Sequence, residues 1–201
     1  TVLLHISTDE VYGDVLEGAH RETSVLKPSN PYSSTKAAAD MLIYGWARTH
    51  NIKYKIVRPT NNYGPGQNSE KLIPASIKAL SLGNKIKLHN NGTPIRNWLH
   101  VEDTVDALFC VIKKGKVNNI YNIAGGFEQT NRDTVITLLE KFFGREVKLE
   151  DYVDFSYSRP GQDLRYALDD TKIQVLGWKP KKIFNEEIGK IVKSDSLYYA
   201  L

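Results

Sequence analysis

A hydroxyl and two carboxylates follow the first apolar stretch of the chain, in the segment Ser7-Thr8-Asp9-Glu10-Val11-Tyr12-Gly13. In open parallel sheets, ligands bind outside the carboxyl ends of strands, so this is a place where chemistry is expected. The side chains of Asp9 and Glu10 diverge from the backbone and can serve one substrate as separate acid and base. A polar loop, or a helix start that favours acids, explains the same residues. The segment alone leaves both interpretations open.

A tyrosine and a lysine four residues apart form the second candidate, in the segment Tyr32-Ser33-Ser34-Thr35-Lys36. Asn30 and Pro31 predict a helix start just before them, because asparagine is a good N-cap and proline is tolerated at the first helical position. At this spacing the two side chains share one face of the helix. A lysine ammonium beside a phenol lowers the phenol's pKa from about 10 and makes it a usable base. The pair alone is weak evidence, but its helix opens one loop after the first strand, so strand end and helix start can converge.

A third set of polar residues suits a diphosphate group: Asn61, Asn62, Lys71, Arg96 and Arg159. Arginine side chains match phosphate oxygens with two parallel hydrogen bonds. Each cation alone is explained as an ordinary surface charge. Only a shared pocket would favour a binding role.

Predicted strands and helices alternate along the chain, which favours an α/β fold with a parallel sheet and right-handed crossovers. Turn and cap residues predict helices over 30–51, 72–82, 102–114, 131–143, 169–176 and 185–197. Short β-rich runs predict strands over 1–7, 54–58, 86–89, 98–100, 119–124 and 146–149. Apolar periodicity predicts that the helices over 30–51 and 102–114 bury Ala39, Leu42, Ile43 and Trp46, and Val105, Leu108, Phe109 and Ile112, respectively.

Composition excludes several classes of protein. The apolar fraction of 41% and the charged fraction of 25% are globular values, and no stretch is long and apolar enough to span a membrane. The net charge of +4 is too small to indicate a nucleic-acid binder. The single cysteine, Cys110, rules out a disulfide framework and favours a reducing, cytoplasmic location. The five histidines have no metal-ligand spacing, so no metal site is expected.

Eight segments occur in an order that resembles the extended short-chain dehydrogenases/reductases: STDEVYG, NPYSSTK, RPTNNYGPGQ, EKLIP, IRNWLHVEDT, YNIAGG, SRPGQDLRYALD and LGWKPK. Among these enzymes the chain is similar to the nucleotide-sugar 4,6-dehydratases, closest to those that act on dTDP-glucose. The resemblance covers essentially all 201 residues. The triplet Thr8-Asp9-Glu10 separates it from related epimerases and decarboxylases, which generally lack the Asp-Glu pair.

The resemblance implies an NAD(P)-binding Rossmann-like fold with a smaller C-terminal α/β region that binds substrate. Residues 1–68 would then be the second half of the Rossmann domain and would hold the catalytic residues. Residues 69–201 would mainly bind substrate, with about 101–126 returning to the Rossmann domain. The chain opens inside a predicted strand, without Met, and lacks the family's glycine-rich cofactor loop. We therefore expect an N-terminally truncated piece that is inactive alone and belongs to a homodimeric enzyme.

The same resemblance implies a role for each site residue. Tyr32 would take the proton of the sugar 4-hydroxyl, Lys36 would lower the pKa of Tyr32 and bind a ribose, and Thr8 would hydrogen-bond the same sugar oxygen. Glu10 would remove the C5 proton, and Asp9 would protonate the departing C6 hydroxyl. The implied cofactor is NAD, with Tyr32, Lys36 and Asn62 as its ligands. The implied ligands of the nucleoside-diphosphate sugar are Thr8, Asn61, Lys71, Leu72, Lys87, Leu88, His89, Arg96, Asn131 and Arg159.

Some residues depart from the family pattern. Ser158 and Gln162 stand where the family has Asp and His, and Lys87-Leu88-His89 replaces Pro-aliphatic-Tyr. These changes affect the family's contacts to the nucleotide and its stacking on the base. The choice between thymine and uracil stays open, because plant-type UDP-glucose dehydratases carry much the same motifs. Two other functions also stay open: epimerisation or decarboxylation of a nucleotide sugar, and non-catalytic binding of one.

Overall fold

The computed structural model describes residues 1–158 and 160–199. The chain forms two compact units. Unit 1 comprises Thr1–Asn62, Arg96–Phe127 and Gly161–Lys181, and unit 2 comprises Tyr63–Ile95, Glu128–Pro160 and Lys182–Leu201. The expected α/β fold with a parallel sheet is confirmed.

Unit 1 is built on a three-stranded parallel sheet. Its strands are β1 (Leu3–Ile6), β2 (Tyr54–Pro59) and β6 (Asn119–Ile123), in the order β1-β2-β6. The register pairs Ile6 with Val57 and Val57 with Tyr121, so all three strands end at one edge. A 3-10 helix (Asp9–Tyr12) follows β1. The helices of this unit are α1 (Pro31–His50), α3 (Val101–Lys114) and α6 (Thr171–Gln174).

Helices cover both faces of this sheet because strand side chains alternate between the two faces. Ile56 of β2 lies in an apolar cluster with Ile43 of α1, whereas its neighbour Val57 lies in a second cluster with Val111 of α3 and Ile173 of α6. The buried indole of Trp178 also belongs to this second cluster. The two faces therefore have separate cores.

A reciprocal clip joins the loop after the 3-10 helix to the segment that precedes α6. Asp14 Oδ1 accepts the backbone N–H groups of Leu164 at 2.6 Å and Arg165 at 3.0 Å. In return, Arg165 Nη1 donates to the carbonyl oxygens of Val15 at 3.1 Å and Gly18 at 3.0 Å. The clip brings residues about 150 positions apart in sequence into unit 1.

Unit 2 is mainly helical. Its helices are α2 (Leu72–Ser81), α4 (Asn131–Phe143), α5 (Leu149–Tyr152) and α7 (Phe184–Tyr199), of which α2, α4 and α7 contact one another. Strand β4 (Ile86–Lys87) pairs in parallel with β8 (Val153–Asp154). Strands β3 (Asn61–Tyr63), β5 (Ile95–His100) and β7 (Glu128–Thr130) lie where the chain passes between the two units. An apolar cluster that includes Leu80, Leu88, Val135 and Val153 forms the core.

Both predicted apolar stripes are wrong in part. In α1, Ile43 packs against the sheet, but Leu42 and Trp46 are 63% and 54% exposed, and the buried positions are Ser33, Ala37 and Asp40. In α3, Val105, Phe109 and Ile112 are exposed, and the buried positions include Ala107 and Val111. Hydrophobic periodicity missed the true face of α1 because buried polar partners pair with Asp40.

The strand predicted over 146–149 is also wrong. Residues 146–148 have no regular structure, and α5 begins at Leu149. The acids Glu150 and Asp151 occupy the first turn of α5, where the helix dipole favours negative charge. Helix α6 is shorter than predicted and ends at Gln174.

No helix within residues 1–158 and 160–199 is long and apolar enough to cross a membrane.

Replacing Gly125 by alanine is expected to destabilise unit 1. An added Cβ would lie 1.8 Å from the carbonyl oxygen of Trp98, a backbone atom that cannot swing away. Overpacking of this kind costs about 1–3 kcal/mol or more. Thermal unfolding of the full-length protein should show a lower Tm for Gly125→Ala.

Gly45→Ala is the matched control. Gly45 lies in α1 and a Cβ there meets nothing within 4 Å. Alanine is favoured over glycine in a helix by roughly 0.5–1 kcal/mol, so the Tm should rise. Equal Tm values for the two variants would contradict the close approach at Gly125.

Candidate active site

Asp9 and Glu10 open the 3-10 helix at the carboxyl end of β1. Thr8 caps this helix, with Glu10 N–H donating to Thr8 Oγ1 at 3.4 Å. The Thr8 hydroxyl also donates to Asp9 Oδ1 at 3.1 Å. Ser7 N–H donates to the Val57 carbonyl at 2.8 Å, which extends the pairing of β1 with β2 to the start of the helix. The two acids therefore lie at the edge of the sheet where the parallel strands end.

Tyr32 and Lys36 lie on the first two turns of α1. Asn30 and Ser33 form a capping box at its start, and Pro31 occupies the first position. Lys36 Nζ donates to the Ile6 carbonyl at 2.6 Å, and Asn30 Nδ2 donates to Glu10 Oε2 at 3.2 Å. The structure thus brings the start of α1 to the end of β1.

The environment of Tyr32 differs from the sequence expectation. Burial raises the pKa of Tyr32, and the carboxylates of Glu10 and Asp9 raise it further. A hydrogen bond with Thr8 acts in the opposite direction. Lys36, whose ammonium donates to the Ile6 carbonyl, is not among the groups that shift the Tyr32 pKa, so the expected lowering is not found.

Asp9 has the chemistry of an acid near neutral pH. Burial, and then the charge of Glu10, raise its pKa from 3.8 to about 7. Its Oδ2 atom is buried and has no hydrogen-bond partner among the described residues. A carboxyl group that holds its proton near neutral pH can protonate a leaving group.

Glu10 has partners that sequence reasoning missed. Besides Asn30, the hydroxyl of Tyr166 lies 3.5 Å from Glu10 Oε2, and the same hydroxyl donates to buried Asp163. Ser29 also donates to Asp163. The motif SRPGQDLRYALD holds both Asp163 and Tyr166, but nothing in the sequence indicates their proximity to Glu10.

Arg96 is buried in the same part of unit 1. Its Nη2 donates to the Asp163 carbonyl at 3.0 Å and its Nη1 donates to the Leu164 carbonyl at 3.4 Å. Its guanidinium lies 4.6 Å from the centre of the Tyr166 ring. Arg96 therefore holds the segment that reaches Glu10. It is not the exposed surface cation that the sequence left as an alternative.

Asn61 and Asn62 follow β2. Asn62 Nδ2 donates to the Thr60 carbonyl at 3.0 Å, and Asn62 Oδ1 accepts from the Thr104 hydroxyl. Asn61 Oδ1 is buried and lacks a partner among the described residues. Buried acceptors without a partner are costly, so Asn61 suits a ligand that supplies a donor.

The other predicted substrate residues fall in unit 2, except that Arg159 lies outside the described residues. Lys87 and His89 both face the ring of Tyr157, at 4.9 Å and 5.8 Å from its centre. Leu88 is part of the apolar core. The remaining three occupy helix starts: Lys71 and Leu72 at α2, and Asn131 at α4.

The described residues contain no group of three or more His, Cys, Asp or Glu side chains placed to hold a metal ion.

Residues 1–124 match the NAD dependent epimerase/dehydratase family. The chain belongs to this family. It is 42% identical over 199 residues to dTDP-glucose 4,6-dehydratase of Haemophilus influenzae, and 42% identical over 183 residues to the low-salt glycan biosynthesis protein Agl12 of Haloferax volcanii. These matches cover 94% and 91% of the chain and 59% and 58% of the two proteins.

Solved structures of this family have the same fold. DesIV, a dTDP-glucose 4,6-dehydratase from Streptomyces venezuelae with NAD and TYD bound, superposes with a TM-score of 0.90 at 36% identity. A dTDP-glucose 4,6-dehydratase from Bacillus anthracis in complex with NAD gives 0.87, also at 36% identity. The matches cover 96% and 95% of the chain and 59% and 60% of those proteins. The chain therefore spans about three fifths of the length of its relatives.

Asp9→Asn is expected to change how stability depends on pH. The folded pKa of Asp9, about 7, lies above its unfolded value near 3.8, so the folded state binds more protons between these pH values. Wild-type stability should therefore fall as pH rises from 4 to 7, by roughly 1–4 kcal/mol from this group. Asp9→Asn removes that loss, so its Tm relative to wild type should be highest at pH 8.

Thermal unfolding from pH 4 to pH 8 measures the difference. Glu17→Gln, at an exposed position in a loop, is the control and should keep a Tm close to that of wild type. If the Tm difference between Asp9→Asn and wild type did not grow from pH 4 to pH 8, the raised pKa of Asp9 would be refuted.

Proposed function

We propose that this chain carries the acid–base groups of an NAD-dependent nucleotide-sugar 4,6-dehydratase. The proposed reaction converts dTDP-glucose to the 4-keto-6-deoxy sugar by oxidation at C4, loss of water across C5 and C6, and return of hydride to C6 and of a proton to C5. The observation that carries the proposal is the pair formed by Asp9, with a pKa of about 7, and Glu10, beside Tyr32. The dTDP-glucose 4,6-dehydratases among its relatives support the choice of reaction.

Oxidation at C4 requires a base for the sugar 4-hydroxyl. Tyr32 is proposed as this base, and Thr8 as the group that hydrogen-bonds the same oxygen. The two side chains already interact, and the Tyr32 side chain is 54% exposed, so a sugar can reach it. A cation bound near Tyr32 would lower the Tyr32 pKa and so oppose the carboxylates of Glu10 and Asp9, which raise it.

The residues present suit one end of NAD. Lys36 Nζ lies at the end of β1, where its remaining N–H donors can bind ribose hydroxyls, and Tyr32 and Asn62 complete the proposed set. When bound, NAD supplies a hydride acceptor at C4 and a hydride donor at C6. No G-x-G-x-x-G occurs in the 201 residues, so this chain offers no glycine-rich cradle for the pyrophosphate.

Elimination requires a second base and an acid. A ketone at C4 makes the C5 proton acidic, because the resulting carbanion is an enolate. Glu10 is proposed to remove that proton, while Asp9 gives its proton to the C6 hydroxyl, which leaves as water. Burial keeps the proton on Asp9 near neutral pH, and Asn30 and Tyr166 orient Glu10. The C5 proton is thus lost to Glu10 and the water carries the proton of Asp9.

The nucleoside diphosphate is proposed to bind through the residues that the family resemblance implies. The buried amide oxygen of Asn61, which has no partner among the described residues, suits a hydroxyl or N–H donor of the substrate, so only the Asn61 amide NH2 would face a phosphate oxygen. The interior contacts of Arg96 indicate that it also supports the segment around Tyr166. The rest stay predictions: Lys71, Leu72, Lys87, Leu88, His89, Asn131 and Arg159. A homodimer and a cytoplasmic location also stay predictions.

Epimerisation is the second candidate, because the matched family includes epimerases. A 4-epimerase needs the Tyr32–Lys36 pair but no acid and base at C5 and C6. The raised pKa of Asp9 favours the dehydratase, since a 4-epimerase has no step that uses such an acid. A non-catalytic sugar-nucleotide module would likewise need no acid at this position.

Neutral replacements of the two acids should separate oxidation from elimination. In the full-length protein, Asp9→Asn and Glu10→Gln keep the shape of the site but cannot transfer protons at neutral pH. Both should still oxidise the sugar at C4, while water loss slows by about 10²–10⁴-fold, the usual effect of losing a general acid or base. Tyr32→Phe should stop the reaction before oxidation.

Single-turnover absorbance at the NADH band measures oxidation, and mass spectrometry of the sugar measures water loss. Formation of the 4-keto-6-deoxy sugar at the wild-type rate by both carboxamide variants would overturn the roles of Asp9 and Glu10. Failure of the wild-type full-length protein to form this sugar would overturn the dehydratase assignment and favour an epimerase or a binding module.

The nucleobase can be tested separately. We propose thymine, whose 5-methyl group uracil lacks. One methyl group in an apolar pocket is worth about 10–200-fold in kcat/KM, so dTDP-glucose should exceed dUDP-glucose, which lacks only that methyl group, by that factor. Steady-state kinetics with both substrates measure the ratio, and a ratio below one would indicate a UDP-sugar enzyme.

A further inference from the structure

A charged network is buried between α1 and the sheet of unit 1. Arg58, at the end of β2, is 1% exposed and donates from Nε and Nη2 to Asp40 Oδ2, at 3.0 Å and 2.8 Å. Asp40 is completely buried in α1. Its Oδ2 also accepts from the Ser7 hydroxyl at 3.1 Å, and its Oδ1 lies 3.3 Å from His5 Nε2. Burial lowers the pKa of His5, so the charge of Asp40 is balanced by Arg58.

The network reaches the helix that carries the two acids. Arg58 Nη1 donates to the Tyr12 hydroxyl at 2.7 Å, and this hydroxyl donates to Asn122 Oδ1 at 2.8 Å. Burial raises the pKa of Tyr12 to about 12, so the phenol keeps its proton. Tyr12 is the last residue of the 3-10 helix that begins at Asp9. Arg58 therefore holds this helix at its far end.

The same network holds the helix that carries Tyr32 and Lys36. Asp40 follows Lys36 by four residues and Tyr32 by eight, so the three residues lie along one side of α1. Lys36 is itself attached to β1 through the Ile6 carbonyl. Arg58 thus connects α1 and the 3-10 helix through Asp40 on one side and Tyr12 on the other.

Stability alone does not account for a buried ion pair at this position. Removing two charges from water is costly, and well-packed apolar residues often replace such a pair without loss of stability. A charge pair differs from apolar packing in that hydrogen bonds fix distance and direction. Two-step chemistry on one sugar needs that accuracy, because the Tyr32 base and the Glu10 base must reach adjacent carbons.

We infer that Arg58, Asp40 and Tyr12 are positioning residues that set the separation between the Tyr32–Lys36 pair and the Asp9–Glu10 pair. The inference rests on the proposed function for its effect on the reaction. The placement of Asp9 that it requires can be measured without turnover.

Tyr12→Phe in the full-length protein is the decisive variant. It removes the hydroxyl that joins Arg58 to the 3-10 helix and leaves the Arg58–Asp40 pair in place. Oxidation at C4 should keep its wild-type rate, because α1 stays anchored. Elimination should slow by about 10–100-fold, since small misplacements of a reacting group have effects of that size. The 4-keto intermediate that retains its C6 hydroxyl should therefore accumulate.

Tyr121→Phe is the matched control. Tyr121 is an equally buried tyrosine on β6, and its hydroxyl accepts one backbone N–H, from Lys116 at 2.7 Å. It lies in the apolar cluster on the opposite face of the sheet. Both variants should lower the Tm, but only Tyr12→Phe should change the ratio of oxidation to elimination. An unchanged ratio in Tyr12→Phe would overturn the inference.

A second readout separates this inference from the proposed function. NMR titration of the Asp9 carboxyl in the full-length protein should show a lower pKa in Tyr12→Phe than in Tyr121→Phe, because a displaced 3-10 helix exposes Asp9 to water. Failure of the wild-type protein to turn over dTDP-glucose would refute the proposed function and leave this comparison intact. Equal Asp9 titrations in the two variants would refute the positioning role.

Discussion

The parallel pairing of β1 with β2 determines where the proposed reactive groups of unit 1 lie. Because the two strands run in the same direction and end together, the residues that follow Ile6 and those that follow Pro59 emerge at one edge of the sheet. The hydrogen bond from the Ser7 N–H to the Val57 carbonyl extends the pairing of the two strands to Ser7, the residue that precedes Thr8. Helix α1 then needs only one loop to return to the same edge, and Lys36 attaches it to Ile6.

Two buried aspartates of unit 1, Asp40 and Asp9, are stabilised in opposite ways. Asp40 is buried beside Arg58, and its charge is balanced by several hydrogen bonds. Asp9 is buried with no ion pair among the described residues, and its desolvation is relieved by holding a proton near neutral pH. We propose that the first arrangement fixes geometry and the second creates reactivity. Both follow from the same cost of removing a carboxylate from water.

Sequence reasoning succeeded for structural features that depend on residues close together in the chain. The alternation of strands and helices predicted a parallel sheet, and cap residues such as Asn30 and Pro31 predicted the start of α1. It failed where burial depends on partners distant in sequence. Asp40 occupies a buried position that hydrophobicity assigned to Leu42 and Trp46, because Arg58 and Ser7 satisfy its carboxylate. The contact of Tyr166 with Glu10 joins residues 156 positions apart, and no local pattern encodes it.

The clip between Asp14 and Arg165 has a consequence for the order in which the protein assembles. A chain synthesised from its N-terminus completes the three strands of unit 1 once Ile123 has emerged, but the segment that supplies Asp163 and Tyr166 emerges only after most of unit 2. Closing so long a loop costs entropy that early contacts cannot recover, so this docking is a late event in folding. Glu10 therefore gains its contact with Tyr166 late, and the proposed acid–base pair reaches its final environment only when the clip closes.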